Sequence, residues 1–222
     1  MVRKTKQDAQ ATRARILDTA ECVFQRKGVS ATSLQEIAQA AGLTRGAIYW
    51  HFQNKADLFD AMLQRVVLPL ECSLEHRDAD EDTDPLVALR CGIGDVLAQL
   101  VRDVQVQRVL EIAMHKVEYI GDMHAVRERR IASRDAHMLD VERMLALAAR
   151  RGQIGAQPSP RVAATGLHAL IDGLLYNWML DPKAFDLQVT GLQVLDTYVR
   201  GLTAGATAPS APVRMASNAI AQ

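Results

Sequence analysis

The sequence predicts an all-α protein, with an N-terminal helix-turn-helix module followed by a larger helical part. Three observations predict it. Apolar residues recur at helical spacing along most of the chain, and no segment alternates as a half-buried strand does. Glycines and prolines fall where those periodic stretches end. The charge is also divided: nine bases face four acids up to Lys55, yet the 222-residue chain has zero formal net charge. A basic end on a neutral chain points to one module that meets a polyanion and a second with another task.

The first helix is expected over residues 8–27, with Ile16, Ala20, Val23 and Phe24 on one face and Gly28 as its stop. A second starts at Ser33, where Ser33-Leu34-Gln35-Glu36 has the spacing of a capping box. Its apolar stripe is Leu34, Ile37, Ala38 and Ala41. Gly42 permits a sharp turn, Leu43 plugs the core and Thr44 caps a third, very short helix. Asn54 caps a fourth, which runs to about residue 76. Residues 76–84 are acidic and read as a solvated loop. Further helices are expected over 86–101, 105–118, 123–151, 161–180 and 185–202, with Pro158, Pro160 and Pro182 marking boundaries. The domains expected are a basic arm (1–9), the helix-turn-helix module (10–70), a second helical domain (71–203) and a disordered tail (204–222).

Ala41-Gly42-Leu43 joins two helices in the manner that projects the later one into the DNA major groove. On that later helix, Ala47, Ile48 and Phe52 fall at inward spacings, which leaves Arg45, Tyr49 and Trp50 outside with His51 close by. An exposed Tyr-Trp pair needs a partner. A tyrosine hydroxyl can donate to phosphate, an indole can lie on sugar, and Arg45 can bond guanine or phosphate. Gly46 keeps the helix surface low. Lys55, Thr32 and Ser33 stand at helix starts, where phosphate is favoured. Lys4 and Lys6, with Arg3, form an arm for additional backbone contacts. His51 is either a phosphate contact or a residue satisfied within the helix end.

Other chemistry has little support. The chain has no phosphate loop, nucleophile elbow or metal-spaced Cys/His cluster, so no enzyme, cofactor or metal site is expected. Cys22, Cys72 and Cys91 lie far apart and read as buried free thiols in a reducing cytoplasm. No apolar run is long enough to span a membrane. The module alone does not separate repression from activation, or either from a sequence-indifferent DNA-coating role.

The stretch TRARILDTAECVFQRKGVSATSLQEIAQAAGLTRGAIYWHFQNKADLF resembles the N-terminal domain of the TetR family of bacterial transcriptional repressors. The opening VRKTKQDAQATRARIL, the IYWHF form and LEIAMHKVEY are similar to the branch that represses multidrug efflux pumps, the AcrR and TtgR type. The resemblance implies an all-helical homodimer on a palindromic double-stranded operator, with a C-terminal domain holding a small hydrophobic or amphipathic inducer. It places Thr44, Arg45, Gly46, Tyr49, Trp50, His51 and Lys55 at DNA. A regulator of a non-efflux metabolic operon is the alternative.

The helix over 161–180 is apolar around much of its circumference, so it is expected to face its own core and a second chain together with the final helix. It also carries His168 and Asp172, four apart. They form either a structural ion pair or polar groups in a drug cavity. The other expected lining residues are Leu68, Ile93, Val96, Leu97, Leu110, Met114, His115, Met138, Ile171 and Leu175.

Overall fold

The structure, a computed structural model, describes residues 6–75 and 83–204; for residues 67–75 it describes the backbone alone. Among the described residues there is no strand. The described residues form nine α-helices in order: α1 (Lys6–Lys27), α2 (Leu34–Ala40), α3 (Arg45–His51), α4 (Lys55–Glu75), α5 (Pro85–Arg102), α6 (Val104–His115), α7 (His124–Arg150), α8 (Pro160–Leu180) and α9 (Leu187–Ala204). A single 3-10 turn, Gly121–Met123, precedes α7. Helix α1 begins at Lys6, so that lysine belongs to the helix and not to a free arm. Arg3, Lys4, the side chains of Leu68 and Cys72, residues 76–82 and the tail from 205 lie outside the described residues.

Local chemistry accounts for the helix ends around the turn. The Ser33 hydroxyl accepts the Glu36 amide at 3.2 Å, and the Glu36 carboxylate accepts the Ser33 amide at 2.9 Å. Gly42 supplies the left-handed turn at φ 65°, and Leu43 N–H closes it on Ala38 O at 2.8 Å. The Thr44 hydroxyl accepts the Ala47 amide at 3.2 Å and starts α3. Further along, Asp84 and Asp103 cap α5 and α6 through their carboxylates.

Helices α1–α4 enclose Ile16, Phe24, Ile37, Ile48, Phe52, Leu58, Phe59 and Met62, all nearly inaccessible. The same core continues without a break into Leu97, Leu100, Val109 and Ile112 of α5 and α6. Helix α4 runs through residue 70, so a continuous helix joins the two expected domains. Helices α1 and α4 both lie against α6, while α5, α7, α8 and α9 pack together around a second cluster that includes Leu89, Leu145, Leu167 and Leu195.

Two expectations fail here for tertiary reasons. Helix α6 stops at His115, short of residue 118. The Lys116 carbonyl accepts the Val29 amide at 2.8 Å, and Tyr119 Oη donates back to Ala113 O at 3.0 Å, which turns the chain away. Cys22 and Cys91 are free but exposed, because both sit on the outer faces of their helices.

Candidate nucleic-acid interface

Helix α3 is anchored from one side only. Ile48 is inaccessible, and Phe52, its C-cap, donates its amide to Ile48 O at 2.9 Å while its ring fills the core. The opposite face carries Trp50, 73% exposed, and Tyr49, 46% exposed. The Arg45 guanidinium lies 5.5 Å from the Tyr49 ring centre, and the His51 ring meets Trp50 edge-on at 4.6 Å. These contacts hold long side chains in place before any partner arrives, which lowers the ordering cost of binding. A Cβ added to Gly46 would have nothing within 4 Å, so this part of the helix surface is open. Arg45, Gly46, Tyr49 and Trp50 thus form one exposed, cation-bearing aromatic face, with Thr44 at its start.

Arg13 was not visible in the sequence as part of this site. Its guanidinium stacks 5.0 Å from the Phe52 ring centre and fastens α1 to the end of α3. An exposed arginine on a long helix carries no local signal of such a contact. Lys27 is similar: its ammonium meets Glu36 Oε1 at 2.7 Å and braces the α2 capping box from α1. With Ser33 and Lys27 both engaged, the Glu36 carboxyl is held down to about 2, chiefly by Lys27 and then by the Ser33 amide and hydroxyl.

Three expected phosphate contacts look different in the structure. Thr32 is 2% exposed and its hydroxyl donates to Gly28 O at 2.8 Å, so it faces inward. Ser33 is exposed, but its hydroxyl serves the capping box. Lys55 turns back into the protein, its Nζ donating to the carbonyls of Val29 (2.7 Å), Thr32 (2.9 Å) and Ser30 (3.2 Å). Burial pulls this ammonium below the usual lysine range, while Asp122 and Glu36 act in the opposite direction.

The expected ligand-domain residues are only partly brought together. Leu97 is inaccessible in the main core, and Ile93, Val96, Leu110, Met114 and Leu175 pack against it. Ile171 joins the second cluster, and Met138 is half-buried on α7. Asp172 departs from the cavity expectation. Its side chain is 56% exposed and lies 3.3 Å from His168 Nε2, on the shared helix face. His115 is the polar exception in the apolar group. Its ring meets Tyr176 at 4.4 Å, and its Nε2 is buried with no hydrogen-bond partner among the described residues.

Residues 16–62 match the family described as bacterial regulatory proteins, tetR family, and residues 84–204 match the MAATS-type transcriptional repressor C-terminal region. The chain belongs to the TetR family. TetR-family proteins are DNA-binding transcriptional regulators and not enzymes, and they typically dimerise. The chain is 40% identical over 188 residues to the HTH-type transcriptional regulator TtgR of Pseudomonas putida, covering 84% of this chain and 89% of TtgR. The crystal structure of NalD, the secondary repressor of the MexAB-OprM multidrug efflux pump in Pseudomonas aeruginosa, superposes with a TM-score of 0.81. That match is 39% identical and covers 89% of this chain and 98% of NalD. A complex of the Stenotrophomonas maltophilia repressor SmeT with triclosan matches at a TM-score of 0.77 and 33% identity, over 90% and 96% of the two chains. In this frame α2–turn–α3 is the N-terminal helix-turn-helix.

Proposed function

We propose that this TetR-family protein represses a multidrug efflux operon by binding a palindromic operator as a homodimer, and that a hydrophobic or amphipathic drug releases it. The observation that carries the reading is the face of α3, where Arg45, Tyr49 and Trp50 stand exposed on a helix held by Ile48 and Phe52. The near full-length similarity to NalD and SmeT, both repressors of multidrug efflux pumps, supports the pump as the controlled target.

A homodimer is supported by one stripe of α8. Val162, Tyr176 and Leu180 are exposed, and Gly173, on the same helical face, would have open space at a Cβ. With exposed Val189 on α9, this is apolar surface suited to a second copy and to reading two half-sites about a helical turn apart. The ligand is supported by His115: a buried imidazole nitrogen beside Tyr176, with no partner among the described residues, suits a small aromatic molecule with a hydroxyl donor. The repressor works in the cytoplasm, where its operator is.

The test is protection of promoter DNA beside its own gene and the neighbouring transporter genes, repeated with triclosan as probe. The expected result is one discrete palindromic footprint that disappears as triclosan is added. Sequence-indifferent binding, or calorimetry showing no uptake of any compound in a panel of hydrophobic drugs, counts against the reading.

A further inference from the structure

Lys55 is the first residue of α4, a place where a positive charge is opposed by the helix dipole. The fold compensates it from elsewhere. An ammonium has three protons to donate, and three carbonyls of the α1–α2 turn, those of Val29, Ser30 and Thr32, lie within 2.7 to 3.2 Å of Nζ. The phosphate-binding character of the helix start is reduced as well. Asn54 Oδ1 accepts the Asp57 amide at 2.8 Å, and the Asp57 carboxylate, bonded to the Gln53 amide at 3.0 Å, puts negative charge there.

The carbonyls that hold Lys55 belong to a turn with few other freedoms. Gly28 begins it in the left-handed region at φ 80°, Val29 is buried, and Ser33 ends it as the cap of α2. Helix α3 is connected to α2 at one end and to α4 at the other. Lys55 ties the entrance to α2 to the entrance to α4, the two ends of the α2–turn–α3 segment. Closing the frame fixes the angle at which α3 is presented.

We propose that Lys55 is a positioning residue for operator recognition: its ammonium locks the α1–α2 turn onto α4, and so aims α3, without itself neutralising a DNA phosphate. The inference rests on α3 being the recognition helix, and the two ideas separate experimentally. If Arg45→Ala and Tyr49→Ala leave the operator footprint intact, the recognition helix is wrong whatever Lys55 does.

The direct test is Lys55→Met, which keeps the stem and removes the charge and the donors. Binding to a natural operator duplex and to a scrambled duplex is measured across a salt series, corrected for the active fraction of protein. The expected result is an operator Kd at least tenfold weaker, with scrambled-DNA affinity and the salt slope of both unchanged, so that the specificity ratio falls. A phosphate contact instead weakens both duplexes together and lowers the slope by about 0.9 per protomer. A purely structural role lowers the active fraction and leaves the specificity ratio alone. Either pattern, or unchanged operator affinity, overturns the proposal. Should Lys55→Met fail to fold, NMR of the wild-type protein on its operator decides the matter. A Lys55 ammonium signal as exchange-protected as in the free protein supports the proposal, and a scalar coupling from its nitrogen to a DNA phosphorus overturns it.

Discussion

Arg65 of α4 donates a hydrogen bond to Glu21 of α1, whose side chain is only 2% exposed. The other terminal nitrogen of Arg65 reaches Asp18 at 2.7 Å. From α6, Gln105 Nε2 donates to the same Glu21 oxygen at 3.0 Å, and Arg108 lies 3.9 Å from the second one. One carboxylate therefore joins α1 and α4 to α6, which packs on both. Burying a charge is tolerable only with such partners, and removing one partner exposes the cost.

The two ends of this pair are not equivalent. Arg65→Met leaves a buried carboxylate with weaker support and is expected to cost about 3–5 kcal/mol of stability. Glu21→Gln keeps an acceptor for Arg65 and is expected to cost nearer 1–2 kcal/mol. Urea unfolding of both variants checks the order, and a harmless Arg65→Met would show that the pair does not support the seam.

Acid should loosen the start of α2 in a defined window. The Glu36 carboxyl is lowered from 4.5 to about 2 by Lys27 and the Ser33 groups. A depressed folded value means that its contribution is complete above 4.5 and is lost as pH falls through about 2. NMR titration of the Glu36 side chain should give the low value. Glu36→Gln should remove this part of the acid dependence, and a Glu36 titrating at its ordinary value contradicts the bracing role given to Lys27.

Gly46→Ala should separate stability from function. The new methyl meets nothing within the chain, and alanine is favoured over glycine in a helix by up to about 1 kcal/mol. The variant should melt at a higher temperature yet bind operator more weakly, because its methyl would stand on the face proposed to meet DNA. Equal or tighter operator binding would place Gly46 outside the interface.

Two glycines of α9 should respond in opposite ways. A Cβ on Gly191 would come 2.6 Å from Leu97 Cδ1, and Leu97 is fully enclosed, whereas Gly201 has open space. Overpacking of about 1–3 kcal/mol outweighs the helix-propensity gain at Gly191. Gly191→Ala should lower the melting temperature and Gly201→Ala should raise it, as read by circular dichroism.

What could be read ahead of the structure was local. The Ser33–Glu36 box, the Gly42 turn and the Thr44 cap involve residues within four positions of one another, and the inward spacing of Ile48 and Phe52 follows from helical geometry alone. These were enough to expose the α3 face. What could not be read depends on distant parts of the chain. Lys55 at a helix start suggested phosphate until carbonyls 23 to 26 residues away claimed it. Thr32 lost its exposure to the same turn, and α6 lost its last residues because Val29 reaches Lys116. Asp172 showed only that it shares a face with His168. Whether that face met a cavity or water was set by helices elsewhere.

Trp50 and Trp178 are the two tryptophans of the chain. One is 73% exposed at the tip of α3 and the other 6% exposed on α8, beside Gln25 of α1 and Arg108 of α6. The protein therefore carries two spectrally separable lamps: a red-shifted emitter that DNA should quench, and a blue-shifted one at the seam between the two halves. Excitation at a single wavelength can then follow operator occupancy and the state of the distant half in one cuvette, without any attached dye.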